Sequence, residues 1–206
     1  MAVADSLQHV VDDVWIWHAF DPRVKTELFS TVIRAAHGWV VLDPIDLTES
    51  AWGTLTRLGP VAAIVLTNGN HCRASVRFRQ RLGAGIFAHP DAVGELECPV
   101  DATLREGNRV GGSLEWIELR GAGPGEVALF DDRGRLHVGD ALVNLESTGF
   151  VLLPEKYCLD AVQLRQSLRL LKGRRVEWMT FAHGLPLREG AQSRLDGLLA
   201  GCGLAN

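Results

Sequence analysis

One stretch of this sequence restricts the fold more than any other. Val61-Ala62-Ala63-Ile64-Val65-Leu66 is an uninterrupted apolar run, and it ends abruptly in the polar cluster Thr67-Asn68-Gly69-Asn70-His71. An apolar run of strand length offers no polar face to water, so it predicts a strand covered on both sides. The flanks supply the covers. Glu49 to Leu58 carries apolar Trp52, Leu55 and Leu58 at helical spacing, has Thr48 or Ser50 as a candidate N-cap, and stops at Gly59-Pro60. Ala74 to Leu82 predicts a second helix closed by Gly83, and Ile86 to His89 a further strand, completing a β-α-β unit. Ligands of such open α/β arrangements bind where the strands end, which draws attention to Thr67 to His71.

The remaining pattern is mixed. Val14 to Phe20, Leu28 to Arg34 and Trp39 to Leu42 predict strands ahead of the central run, with His37-Gly38 as a hairpin turn and Asp43-Pro44 as a stop. Trp15 and Trp17 alternate along the first of these and therefore share a face. Beyond the β-α-β unit, Ser113 to Leu119, Glu126 to Phe130 and Leu136 to Val138 predict strands, Leu159 to Leu171 a helix, Val176 to Phe181 a strand and Gln192 to Leu199 a last helix. Two successive β-then-α halves suit a sandwich of two mixed sheets with helices outside, or one doubly wound sheet.

The 206 residues suit a single domain spanning 1–206 with a sizeable core. A formal net charge of -4 leaves no basic excess for phosphates, which argues against nucleic acid as a partner. Arg73, Arg77, Arg79 and Arg81 cluster at a spacing that fits a solvated helix face. Cys72, Cys98, Cys158 and Cys202 form no C-x-x-C pair and are expected to be free thiols. Neither a leader-like N-terminus nor a membrane-length apolar run is found, so no membrane partner and a cytoplasmic location are expected. The apolar residues of Val14 to Phe20 suit either a homodimer surface or a buried first strand.

Five places resemble one family in order along Val14 to Leu199. Trp39-Val40-Val41-Leu42-Asp43 looks like an apolar strand ending in an aspartate, and Val65-Leu66-Thr67 like the strand entering an H-x-H-x-D-H loop. Glu106-Gly107-Asn108 through Gly111-Gly112 and then Arg120 to Glu126 resembles the run ending in P-G-H-[ST]-P-G-S. Leu136-His137-Val138-Gly139-Asp140-Ala141-Leu142 looks like L-F-x-G-D-A-L, and Phe181-Ala182-His183-Gly184 like the closing G-H-G. The family is the metallo-β-lactamase superfamily. The resemblance implies a four-layer αββα sandwich of two mixed β-sheets flanked by helices.

It also implies metal chemistry with a depleted ligand set. The family binds borderline cations through imidazole and carboxylate donors, with one position open to water. Here the histidine of the third motif falls on Ala122. Aligned without a gap from Thr67, the first motif becomes Asn68, Asn70, Cys72 and Arg73. Anchored instead on the following helix, counting back from Gly83, it places His71 on the last histidine and Asn70 on the aspartate. The second register is favoured, because a loop shortens more easily than a helix shifts on its sheet.

Under it, His71, Asp140 and His183, with Asn70 as a weak fourth donor, would hold one divalent cation such as zinc, manganese or iron. The implied activity is hydrolysis of a small ester, lactone or related substrate, with Asp140 orienting the nucleophile and Arg73 anchoring a substrate anion. The alternative is a non-catalytic binding or assembly module without metals. In that case Asp140, His183 and His71 would be structural, His71 as a helix cap. Cys72, beside a helix N-terminus, is a candidate nucleophile of lowered pKa, or simply a small buried side chain. His18, His37, His89 and His137 are expected to be core or turn residues.

Overall fold

The computed structural model describes residues 2–203. The first half runs β1 (Val3–Ala4), β2 (Gln8–Val11), β3 (Val14–Asp21), β4 (Thr26–Ala35), β5 (Gly38–Leu42), β6 (Asp46–Leu47), α1 (Glu49–Arg57), β7 (Val61–Val65), α2 (Ser75–Leu82), β8 (Ile86–Ala88) and β9 (Ala102–Thr103). The second runs β10 (Arg109–Val110), β11 (Leu114–Glu118), β12 (Val127–Phe130), β13 (Arg135–Val138), β14 (Leu142–Leu145), β15 (Gly149–Leu152), α3 (Ala161–Ser167), β16 (Trp178–Phe181) and α4 (Ala191–Gly201).

Most strands form two mixed sheets, while β1 and β6 pair in a short parallel ribbon of their own. One has the order β2-β3-β4-β5-β7-β8-β9, antiparallel up to β5 and parallel from β5 to β9. The other has the order β10-β11-β12-β13-β16, antiparallel except for the parallel pair β13 and β16. β14 and β15 make a separate hairpin.

Three apolar clusters separate four layers. Trp39, Val41, Ile64 and Leu66 face Trp52 and Leu55 of α1 and Phe78 of α2. Their neighbours Val40, Leu42 and Val65 turn the other way and meet Leu114, Trp116, Val127 and Leu129 of the second sheet. The far side of that sheet packs on Leu164 of α3 and Leu195 and Leu199 of α4. The period of two in β5 and β7 thus feeds two cores at once, which is why the Val61 to Leu66 run has no polar position. Helix, sheet, sheet, helix is the αββα sandwich, and the doubly wound single sheet is excluded.

Local details follow from the side chains. Thr48 caps α1, its side chain accepting from Ala51 N. Trp15 and Trp17 both pack on the helix-facing core, and Trp17 stacks on Phe78 at 5.8 Å between ring centres. Val14, Ile16 and Trp17 of the first strand are buried, while Phe20 near its end is exposed. The helix expected over Leu159 to Leu171 is shorter. Asp160 accepts from Val162 N and Gln163 N, which starts the helix after Leu159, and the chain tightens into a 3-10 turn over Leu168–Leu171. All four cysteines are free. No helix among the described residues is long and apolar enough to cross a membrane.

Candidate metal centre

The candidate site lies at one edge of the sandwich, where parallel strands of both sheets end. Asp43 follows β5, Thr67 to Arg73 follow β7, Gly139 and Asp140 follow β13, and Ala182 and His183 follow β16. Both sheets therefore deliver polar loops to the same place. Close approach is needed there: a Cβ on Gly139 would come within 2.5 Å of Thr67 Oγ1 and 2.7 Å of Glu126 Oε1, so only glycine fits.

Two imidazoles converge on one carboxylate. Asp140 Oδ1 lies 3.3 Å from His71 Nε2 and 3.3 Å from His183 Nε2. The three donor atoms lie within 4.8 Å of one another, and the group could hold a metal ion. Asp140 Oδ1 is buried and has no hydrogen-bond partner. A cation between that oxygen and the two Nε2 atoms would offset the cost of burying the carboxylate. Two imidazole nitrogens and one carboxylate oxygen are also the donors a borderline cation such as zinc takes. By these criteria the residues present fit a divalent cation.

Further groups fix the three. His71 Nδ1 is 3.0 Å from Asp43 Oδ2, and the same carboxylate accepts from Thr67 N at 2.8 Å and Thr67 Oγ1 at 2.5 Å. Asp140 Oδ2 accepts from Asn68 Nδ2 at 2.9 Å, and that amide also reaches Glu126 Oε2 at 2.9 Å. Glu126 Oε1 accepts from Ala141 N at 3.0 Å. Asn68 thus joins two carboxylates with one neutral amide group, and Ala122, at the histidine position of the third motif, is buried.

Arg73 is the surprise. Its spacing with Arg77, Arg79 and Arg81 suggests a charged helix face, and those three do pair with Asp46, Glu49 and Asp101 at the surface. Arg73 precedes α2 with a left-handed φ of 41°, and its guanidinium turns inward. Nη1 donates to Phe29 O at 2.7 Å and Asp43 O at 2.9 Å, while Nη2 donates to Ala182 O at 3.5 Å and lies 3.3 Å from His71 Nε2. The solvated-face assignment therefore fails for this arginine. A strained φ at a non-glycine residue is held only where the surroundings demand it.

Charge is distributed accordingly. Burial pushes the Asp43 carboxyl up, but His71, His137 and Arg73 together hold it well below the usual carboxylate range. Burial likewise works against ionised Asp140, and His71 and His183 outweigh it, so its pKa also falls. His71 is pulled down by burial, yet Asp43 and Asp140 raise it to about 9. Burial lowers His183 to about 4. Glu126 rises to about 8, through burial first and the nearby Asp140 second.

Asn70 is exposed, lines both clefts together with Asp140 and His183, and gives its backbone N–H to Asn68 Oδ1 at 2.8 Å. Cys72 is shielded and contacts Ser75. Its thiol is pushed up to about 12 by burial and Cys98, the opposite of an activated nucleophile. His71 caps no helix, since Ala74 occupies the N-cap position of α2 without a side-chain bond. Asn68, Glu126 and the support given by Asp43 are absent from the sequence-derived site. Glu126 sits at the end of the third motif, where its carboxylate was the available signal.

Two clefts meet at the cluster. One of about 640 Å³ is lined by Glu95, Glu97, Asn70, Cys72 and Arg73, the other of about 480 Å³ by Val143, Leu145, Leu153, Pro154 and Tyr157. Both include Val24, Asp140 and His183.

Solved structures with this architecture are numerous. A metallo-beta-lactamase family protein from Thermus thermophilus is 20% identical, with 94% of this chain and 80% of that chain covered and a TM-score of 0.64. A metallo-beta-lactamase from Pontibacter korlensis is 17% identical over 95% and 98% of the two chains, with a TM-score of 0.71. One from Erythrobacter litoralis is 14% identical over 95% and 92%, with a TM-score of 0.67. At these identities the likeness is one of fold. No curated protein gives a significant match. The model of the family described as "Metallo-beta-lactamase superfamily" matches residues 5–201, nearly the whole sequence, and the chain belongs to that superfamily.

Proposed function

We propose that the chain is a metal-dependent hydrolase with a single divalent cation, acting on a small ester, lactone or related substrate. His71, Asp140 and His183 would hold the ion. The observation that carries this reading is Asp140 Oδ1, buried, unpartnered and equidistant at 3.3 Å from two imidazole Nε2 atoms. A cation bound there acidifies water and polarises a carbonyl oxygen.

The chain's own residues supply the rest. Asn68 fixes Asp140 by Oδ2 and leaves Oδ1 free for the ion. Asp43 keeps the His71 proton on Nδ1, so that Nε2 presents its lone pair. Arg73 has its Nη1 committed to main-chain carbonyls, so it serves a substrate by its positive potential rather than as a bidentate clamp. The clefts are of ordinary size for a small molecule, and the apolar walls of Val143, Leu145 and Leu153 exclude water from one side.

A second reading, a metal-free binding module, draws on one observation. Arg73 Nη2 already lies 3.3 Å from His71 Nε2, and a protonated His71 balances Asp43 and Asp140 without any ion. Crystals soaked in zinc chloride separate the two. Anomalous density between the three side chains, with ligands at ~2.0–2.2 Å, supports the hydrolase; side chains left in mutual contact with no density support the module.

A further inference from the structure

His137 belongs to the histidines expected on sequence grounds to be core or turn residues, and it is fully buried on β13. Its environment is unusual for a packing residue. Nδ1 lies 2.9 Å from Thr180 Oγ1, its register partner on β16. Nε2 has no hydrogen-bond partner and faces Asp43 Oδ2 across 3.9 Å. That oxygen is the one engaged by His71 Nδ1 and Thr67 Oγ1.

The geometry selects a tautomer. An Nδ1 that accepts from the Thr180 hydroxyl leaves the ring proton on Nε2. The opposite tautomer would aim a lone pair at a buried carboxylate, and in a medium of low dielectric that repulsion is costly. Burial also favours the neutral ring over the imidazolium. His137 therefore presents an N–H dipole to the same Asp43 oxygen that His71 Nδ1 faces.

Resting on the reading of His71 as a ligand, we propose that His137 is a positioning residue: acting through Asp43, it fixes which nitrogen of His71 bears the proton and where the other points. The dipole faces Asp43 Oδ2 across 3.9 Å and helps hold that carboxylate in place. An ionised, immobile Asp43 holds the His71 proton on Nδ1 and turns Nε2 toward Asp140. Thr180 is part of the same device, since it locks the His137 tautomer.

The test uses the intact chain labelled with ¹⁵N, with chelator, and records two-bond proton–nitrogen spectra of the imidazoles. Thr180→Val keeps the ring and removes its lock, His137→Leu removes the ring, and His137→Gln restores an N–H donor of similar reach. The expected wild-type pattern is Nε2–H on His137 and, at a pH high enough to remove the second proton of His71, Nδ1–H on His71. Thr180→Val and His137→Leu should both shift the His71 nitrogen signals. They should also weaken zinc binding, read by chelator competition, by at least about tenfold, with His137→Gln recovering most of the loss. A purely structural His137 would lower the unfolding temperature and leave those two readouts unmoved. An Nδ1–H tautomer on wild-type His137, or unchanged His71 signals in folded Thr180→Val protein, overturns the proposal. Wild-type protein that takes up no zinc while the His71 signals still answer to the variants overturns the metal reading and leaves the positioning role supported.

Discussion

His71 Nδ1 lies 3.0 Å from Asp43 Oδ2, which leaves Nε2 as the atom that faces the centre. Asp43 is no member of the converging triad, yet it decides what His71 can do. A carboxylate behind an imidazole fixes the tautomer and raises the basicity of the outward nitrogen. The same carboxylate ties the end of β5 to the turn after β7 through Thr67, so the ligand loop is anchored to the sheet by the residue that tunes it.

Asp140 is the common neighbour of both imidazoles, and Asp140→Asn removes its charge at almost constant size. Zinc affinity should fall by about 3 kcal/mol, roughly a hundredfold. Without metal, the variant should also lose about 3 kcal/mol of stability at neutral pH, because protonated His71 keeps only one carboxylate partner. Chelator competition and urea denaturation read the two losses, and undiminished zinc binding would remove Asp140 from the centre.

Arg73 should behave in the opposite sense on the two scales. Arg73→Gln strips donors from the carbonyls of Phe29 and Asp43, which should cost about 3 kcal/mol of folding stability. It also removes a positive charge 3.3 Å from His71 Nε2, so zinc should bind more tightly to the variant that remains folded. Weaker zinc binding in folded Arg73→Gln protein would instead make this arginine a support of the centre.

The metal-free chain should show a distinctive pH profile. Glu126 moves from an ordinary 4.5 to about 8 through burial and Asp140. His71 moves from 6.5 to about 9, as Asp43 and Asp140 overcome the effect of burial. Both bind their protons more tightly when folded. Their stabilisation is therefore complete below 4.5 and 6.5 respectively and is lost as pH rises through about 8 and about 9. For His71 alone the shift amounts to about 3 kcal/mol. His183, lowered by burial from 6.5 to about 4, works the other way, and its contribution is lost as pH falls through that window. Denaturation with chelator present should find greatest stability at about pH 6 and a fall of several kcal/mol by about pH 9. A level profile between those values would contradict the protonation states assigned to Glu126 and His71.

Much of the fold is legible in the sequence because burial on two faces leaves a strong mark. Val61 to Val65 reads as a doubly covered strand since its alternate residues enter two different cores. The β14–β15 hairpin left no such mark: its residues are only partly buried beyond Val143, so the pattern around Asn144 to Thr148 reads as loop. At the site, motif order brought out His71, Asp140 and His183. Contacts across long sequence separations stayed hidden, Asn68 to Glu126 and Asp140 among them, because spacing carries no information about which loops of two sheets will meet. Arg73 misled for a related reason. Its periodicity with Arg77 is helical, but its own backbone is left-handed and ends that periodicity one turn early.

His71, Asp140 and His183 are proposed to hold one cation. Elemental analysis of protein purified without chelator tests it most directly. About one equivalent of a divalent transition metal per chain is expected, falling sharply in Asp140→Asn. Less than about a tenth of an equivalent, unchanged after incubation with zinc, manganese or iron(II), would contradict it and leave the metal-free binding module as the reading of this fold.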